Sequence, residues 1–248
     1  MKSLNTYISE GLADQGDDNV LNKNISQSLI IDWLKANVKS IRENKLNFDF
    51  NTDPITINYN GNIQFKKHIT SLTNEMFQWG EVRGYFGCEH CKSLKTLEGA
   101  PKKVEKHFDC NNCISITLLK GVPQEVGGYF DCSNCVLLKS LDGAPKEVGG
   151  SFDCSDCKSL NSLEGAPKEV ESFDCSDCHK LTSLKGAPGK VGENFYCHNC
   201  ISLKTLEGAP KEVGENFYCH NCGGQFTEDD VKKVSNVKNR IICKHGNW

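Results

Sequence analysis

The sequence has no long hydrophobic run and no surplus of basic residues. Hydrophobic residues make up 38% of the chain, and no apolar stretch approaches the roughly 20 residues that a membrane-spanning helix requires. The first residues also lack the apolar core of a signal peptide. The chain has 29 basic and 32 acidic residues, whereas a nucleic-acid-binding domain shows a basic surplus. We therefore expect a cytoplasmic protein that binds neither membranes nor nucleic acid.

Catalytic motifs are missing as well. No serine, aspartate or glycine-rich phosphate motif stands out. A cysteine nucleophile needs a base and an orienting group in one pocket, and such a cysteine would break a repeated pattern rather than follow it. We expect no enzymatic activity, no catalytic residue and no cofactor.

Cysteine, by contrast, is abundant, with 15 residues. All but one belong to seven CxxC pairs: Cys88/Cys91, Cys110/Cys113, Cys132/Cys135, Cys154/Cys157, Cys175/Cys178, Cys197/Cys200 and Cys219/Cys222. The pairs recur every 22 residues, except that Cys175 follows Cys154 by 21 because PKEVGGSFDC becomes PKEVESFDC. Such a period is typical of a solenoid, in which each repeat buries its apolar side against its neighbours.

Each repeat begins like a short strand. Phe152 and Cys154 have the period-two spacing of a strand with one face inward. Leucines and a GAPK segment then turn the chain back. The pattern is close to the leucine-rich-repeat frame LxLxxN/CxL, with Cys157 at the Asn/Cys position. We predict an α/β repeat fold, a leucine-rich-repeat-like solenoid with one parallel strand per repeat and an extended return too short for a long helix.

Caps are predicted at both ends of the repeats. Apolar residues at helical spacing predict a helix over 26–44, and alternation over 46–65 predicts a hairpin around Asn60-Gly61. Thr227 is a good N-cap for a C-terminal helix, and a last strand follows at 241–243. The predicted division is a flexible leader at 1–24, an N-terminal cap at 25–83, the solenoid at 84–222 and a C-terminal cap at 223–248.

From about Ile30 to Cys243 the chain resembles a leucine-rich-repeat-like protein family that is common in tailed phages. The shared pieces are the TINYNGNI lead-in, the LEGAPKEV returns and the FTEDDVKKVSNVKNRIIC ending. The resemblance implies a solenoid fold and says little about activity, since most members have no known function. Relatives often carry asparagine at the second cysteine position, whereas this chain has cysteine in every repeat.

The first ten residues, MKSLNTYISE, resemble the capsid-targeting peptide of internal head proteins in large tailed phages. Ile8, Ser9 and Glu10 match its ending, and Gly11 follows. The resemblance implies cleavage between Glu10 and Gly11 and packaging in the virion. The alternative is an untethered start to the first helix.

The CxxC pairs also allow a zinc hypothesis. Zinc needs four converging ligands, and the CHNC segments offer Cys197, Cys200, Cys219 and Cys222. Most pairs lack a following turn glycine, however, and every repeat carries the pair. Both facts favour a buried column of reduced cysteines, with no metal, over a single site.

The outward strand positions are the predicted partner-binding surface. One column there contains Asp109, Asp131, Asp153 and Asp174. Stacked like charges destabilise a sheet, so this column indicates a function, such as receiving Lys or Arg from a partner. The remaining predicted contacts are Tyr196, His198, Tyr218 and His220, residue types favoured at interfaces. The alternative is that repeat duplication spread aspartate as a soluble filler.

These observations predict a protein–protein interaction module. Its partner would be a host or viral protein, and inhibition of a host defence factor is one expected role. A virion structural or internal head component is the first alternative, and a zinc-binding protein is the second.

Overall fold

The computed structural model describes residues 18–244. Two stacks of short, mostly parallel strands form the two long sides of a solenoid. The front sheet has nine strands: β3 (Ile63–Gln64), β5 (Phe86–Gly87), β7 (Phe108–Asp109), β9 (Phe130–Asp131), β11 (Phe152–Asp153), β13 (Phe173–Asp174), β15 (Phe195–Tyr196), β17 (Phe217–Tyr218) and β19 (Ile241–Ile242).

The return side carries the other strands, in two sheets. The first has six: β1 (Leu46–Asp49), β2 (Ile55–Tyr59), β4 (Phe77–Val82), β6 (Lys103–Val104), β8 (Glu125–Val126) and β10 (Glu147–Val148). The second has four: β12 (Glu169–Val170), β14 (Lys190–Val191), β16 (Glu212–Val213) and β18 (Asn236–Val237). The remaining elements are helix α1 (Asp18–Asn37), a 3-10 turn (Glu43–Lys45) and helix α2 (Glu228–Lys232).

The core consists of columns of identical residues. Phe108, Phe130 and Phe152 stack with ring centroids 5.4 and 5.0 Å apart, and the cysteines and leucines of each repeat are buried beside them. Burying these columns between the sheets is the main favourable term in the fold. The predicted solenoid of about 22-residue repeats is confirmed. The return strand is an addition to the prediction, because its single buried valine is too short a pattern to recognise as a strand.

The return side is interrupted at the 21-residue repeat. Gly149 and Gly192 donate backbone hydrogen bonds to Val126 and Val170 one repeat earlier, both at 2.9 Å. In the 21-residue repeat the counterpart of Gly149 is missing. Glu171 follows Val170 directly and donates its N–H to Gly150 at 3.0 Å, as Gly150 does to Gly128. Among the described strands, β10 and β12 are consequently not paired. The interruption lies beside an open groove of about 960 Å³.

The N-terminal cap differs from its prediction in three places. Helix α1 begins at Asp18 and ends at Asn37, so the predicted helix at 26–44 is shifted and the predicted flexible leader at 1–24 overlaps it. Trp33 packs edge-on against Phe77 at 5.2 Å. The hairpin pairs β1 with β2, so its turn lies between Asp49 and Ile55 and the predicted turn at Asn60-Gly61 is wrong. Asn60-Gly61 instead connects β2 on the return side to β3 on the front side. Ile63 donates to Tyr85 at 2.7 Å, so the front sheet begins before residue 84.

The C-terminal cap continues both sheets. Strand β18 pairs with β16, and β19 pairs with β17, so the stacking extends beyond residue 222. Thr227 caps α2 as predicted, with a reciprocal hydrogen-bond pair to Asp230. Neither helix within residues 18–244 is long and apolar enough to cross a membrane.

Candidate interaction face on the front sheet

The four aspartates lie side by side on the front sheet. Strand register pairs Asp109 with Asp131, Asp131 with Asp153, and Asp153 with Asp174. The predicted column of carboxylates therefore exists. It runs across β7, β9, β11 and β13 on the solvent side of the strands.

Each carboxylate also closes a local turn. Oδ1 of Asp153 accepts the backbone N–H of Ser155 at 2.8 Å and the Ser155 hydroxyl at 2.6 Å. Equivalent backbone bonds reach Asp109, Asp131 and Asp174 at 2.8–2.9 Å. This is an Asx turn, which stabilises the chain where the strand ends. Each aspartate therefore also has a structural role, because it accepts the hydrogen bond that closes its own turn.

Burial makes Asp109, Asp153 and Asp174 harder to ionise than an exposed aspartate. Asp109 is only 8% exposed, and burial raises its pKa to about 7, with repulsion from Asp131 and Glu89 adding to the rise. Burial likewise raises the pKa of Asp153 to about 6 and that of Asp174 above its ordinary value. Protonation of Asp109 and Asp153 therefore changes at pH values near neutrality.

A second column on the front side consists mostly of asparagine and aspartate residues with a left-handed backbone conformation. The residue two positions after the first cysteine of each CxxC pair has a positive φ of 55–62°. The column comprises His90, Asn112, Asn134, Asp156, Asp177, Asn199 and Asn221. Asparagine and aspartate tolerate this left-handed conformation better than other residues with side chains. Their side chains also bond between repeats, as when Asn221 donates to Asn199 at 3.0 Å. These positions are structural.

The aromatic and imidazole residues form one patch at the C-terminal end of the face. The rings of Tyr196 and Tyr218 stack at 4.6 Å, and those of His198 and His220 stack at 4.7 Å. Tyr196 lies edge-on to His198 at 6.3 Å. All four side chains are partly exposed. The structure thus brings these four predicted residues together beside Asp174.

A second aromatic group lies at the other end of the aspartate column. The rings of His107 and Tyr129 stack at 4.0 Å, and the Tyr85 hydroxyl donates to Glu89 at 2.8 Å. Sequence reasoning missed these residues because it examined the positions after each phenylalanine. The position immediately before it reads Tyr85, His107, Tyr129, Ser151, Ser172, Asn194 and Asn216. The front face therefore has aromatic residues at both ends, with aspartates and small polar residues between them.

The paired cysteines lie inside the solenoid. In the six pairs after the first, the second thiol donates to the backbone carbonyl of the first cysteine one repeat earlier, at 3.0–3.3 Å. We call this arrangement the cysteine ladder. Its donors are Cys113, Cys135, Cys157, Cys178, Cys200 and Cys222. The thiol thus makes the bond to the neighbouring repeat from the position that the leucine-rich-repeat frame gives to asparagine or cysteine.

The zinc hypothesis has no geometric support. Cys197, Cys200, Cys219 and Cys222 are buried, and residues 18–244 contain no group of three or more His, Cys, Asp or Glu arranged to hold a metal ion. Burial raises the pKa of the Cys197 thiol well above its ordinary value. The predicted processing residues Glu10 and Gly11 lie outside the described residues.

These features define the protein as a parallel β-solenoid with a continuous polar and aromatic face on one sheet. Comparison with known proteins adds no family to this description, because no family model, curated protein or solved structure matches the chain significantly.

Proposed function

We propose that the chain is a non-enzymatic interaction module that binds a protein partner through the front sheet. The contact surface would comprise the aspartate column and the patch of Tyr196, His198, Tyr218 and His220. The observation that carries the proposal is the stacking of both aromatic pairs on adjacent strands of one sheet. Binding to such prearranged rings costs little conformational entropy.

The aspartates give the proposed surface a preference for basic partners. Each Oδ1 is engaged in its Asx turn, while a carboxylate has a second oxygen with lone pairs to offer. A lysine or arginine of the partner could pair with these oxygens, and the pairing would be strong because the carboxylates are largely desolvated. The neighbouring tyrosines add stacking surfaces for an arginine side chain.

The biological setting of the proposal rests on sequence resemblance. The repeat family indicates a tailed-phage origin, for which a host defence factor or a viral protein in the host cytoplasm is the expected partner. The resemblance of residues 1–10 to a capsid-targeting peptide adds packaging in the virion. A virion structural role, with the solenoid as a spacer, is the rival function.

The experiment is an affinity capture from host lysate with three forms of the full chain. One form is unchanged. The second carries Tyr196→Asp, His198→Ser, Tyr218→Asp and His220→Ser. These are the residues that earlier repeats have at the same positions, so the variant keeps a sequence that the fold already accepts. The third carries Lys146→Gln and Lys168→Gln on the return side, where Gln124 occupies the equivalent position.

We expect a partner that the unchanged chain and the return-side variant capture and the front-face variant loses. Equal capture by all three forms would remove the patch from the interface. Capture of nothing by a folded bait would favour the structural role. In that case the protein should be found in purified virions, and its N-terminal residue there would show whether cleavage follows Glu10.

A further inference from the structure

Two thiols meet at the C-terminal end of the front sheet. The sulfur atoms of Cys219 and Cys243 are 3.0 Å apart. The register of β17 and β19 pairs Tyr218 with Ile242, which places these two cysteines directly opposite each other. Earlier in the same column, Cys154 and Cys175 donate to backbone carbonyls at 3.2 and 3.3 Å instead. Within this column the thiol–thiol hydrogen bond is at the last repeat, whereas earlier thiol–thiol contacts join a first cysteine to a second cysteine of the next repeat, as between Cys88 and Cys113.

One of these two thiols can be reached from solvent. Cys243 is half-buried, whereas the fourteen cysteines of the CxxC pairs are buried. It lines an open groove of about 530 Å³ together with Phe226, Thr227 and Lys244. Strand β19 is also the last in the described part of the front sheet. It pairs on one side only, so it can shift slightly to reach disulfide geometry.

We propose that Cys219 and Cys243 are a redox-active pair that a small disulfide, such as oxidised glutathione, converts into an intramolecular disulfide. The Cys243 thiol loses its proton, and the thiolate attacks one sulfur of oxidised glutathione. A mixed disulfide forms, and one glutathione leaves as a thiolate. The Cys219 thiol then loses its proton and attacks Sγ of Cys243, releasing the second glutathione. The protein pair loses two electrons and two protons, and two reduced glutathione molecules carry them.

The spacing between paired strands is compatible with a disulfide between Cys219 and Cys243. Residues directly opposite on neighbouring strands are separated by about 4.8 Å, which lies within the Cα–Cα range of protein disulfides. The inner cysteine columns share this spacing but are closed to an oxidant by burial. Cys222 lines the same groove but is only 6% exposed, whereas Cys243 is half-buried and so more accessible to an oxidant. Cys219 needs no access to solvent because it attacks a sulfur with which it is already in contact.

The first step should accelerate as pH rises. Partial burial raises the pKa of the Cys243 thiol, and the negative charges of Glu228 and Asp230 and the Cys222 thiol raise it further. The hydrogen bond that Cys219 donates acts in the opposite direction. The attacking species is the thiolate, so its population increases throughout the neutral to alkaline range.

The test uses the full chain, incubated folded with oxidised glutathione, then alkylated in denaturant, digested and analysed by mass spectrometry. We expect a single linkage, Cys219–Cys243, with every other cysteine alkylated. The bond closes the loop that contains α2, so the thermal unfolding midpoint of the oxidised protein should rise by roughly 5 °C.

Two variants make the result specific. Cys243→Ser should form no intramolecular disulfide and show no shift in midpoint under oxidation. Cys222→Ser keeps the reactive pair and should still form the linkage. The proposal is overturned if the folded protein oxidises mainly at other cysteines, or if Cys243 stops at the mixed disulfide.

Discussion

The thiol of Cys157 donates a hydrogen bond to the backbone carbonyl of Cys132 on the preceding repeat, at 3.3 Å. The same bond recurs along the cysteine ladder. The second cysteine of a pair therefore has two roles: its side chain fills the core, and its thiol donates to a buried carbonyl. Loss of this donor leaves the carbonyl without its partner.

Replacing Cys157 by alanine should therefore cost about 1–3 kcal/mol of stability, from the lost bond and the small cavity. Cys157→Ser keeps a donor of similar size and should cost less. Chemical denaturation of both variants checks the order, with Lys168→Gln as an exposed control. Equal destabilisation by alanine and serine would show that the hydrogen bond contributes nothing beyond packing.

Asp109 predicts a pH dependence of stability. Its folded pKa of about 7 is above the roughly 3.9 of an unfolded aspartate. Between these values the folded state binds more protons than the unfolded state, so this group makes stability fall as pH rises from about 4 to 7. Asp109→Asn keeps an acceptor for the Asx turn and removes the titration.

Denaturation midpoints of wild type and Asp109→Asn at pH 4, 5, 6 and 7 provide the measurement. The variant should gain stability relative to wild type as pH increases. A constant difference across this range would mean that the carboxyl group titrates normally in the folded protein.

The positive φ of 58° at Asp156 makes a different prediction. Asp156→Gly should be tolerated, since glycine adopts this conformation freely, while a β-branched residue is strained there. We expect Asp156→Val to destabilise the protein by roughly 1–2 kcal/mol more than Asp156→Gly. Thermal unfolding of the two variants tests this, and similar midpoints would argue against a left-handed turn at this residue.

The interruption of the return side should be repairable by one residue. Inserting a glycine between Val170 and Glu171 restores the 22-residue period, and its N–H could then donate to Val148 as Gly149 does to Val126. We expect β10 and β12 to pair, so that amide hydrogen exchange at 169–170 slows by about tenfold or more. Unchanged exchange there would indicate that another feature separates the two return sheets.

Much of this architecture could be predicted because repetition amplifies weak signals. One FxC segment says little, but seven copies define a strand column and its inward residues. The caps lack this advantage: the alternation of 46–65 fits several hairpins, and only the pairing of Ile63 with Phe86 shows that β3 already belongs to the solenoid.

The candidate site was harder to predict for a physical reason. Asp153 accepts a hydrogen bond that closes a turn and also belongs to the aspartate column of the front sheet. Sequence spacing cannot distinguish the structural role from a role in binding. Tyr129 and His107 were missed since they precede the phenylalanine, although their partly exposed rings are on the same surface. Contacts between repeats, rather than the pattern within one, decide which columns form a surface.

Charge on the aspartate column should influence binding of a basic partner. Because Asp109 and Asp153 ionise with pKa values of about 7 and about 6, affinity should increase as pH rises from 5 to 8. The triple variant Asp131→Asn, Asp153→Asn and Asp174→Asn keeps the turn acceptors and should weaken binding and reduce this dependence. Calorimetric titrations with the captured partner at several pH values measure how the affinity depends on pH. An affinity that does not change with pH would exclude the aspartate column from the interface.

The most direct test of the interaction face is the dissociation constant of the captured partner for the unchanged chain and for the front-face variant with Tyr196→Asp, His198→Ser, Tyr218→Asp and His220→Ser. Interfacial tyrosines commonly contribute 1–2 kcal/mol or more each, so we predict affinity at least tenfold weaker for the variant. The return-side variant should bind like the unchanged chain. Equal affinity of all three forms, each with an unaltered unfolding midpoint, would contradict the proposal that the front sheet is the binding surface.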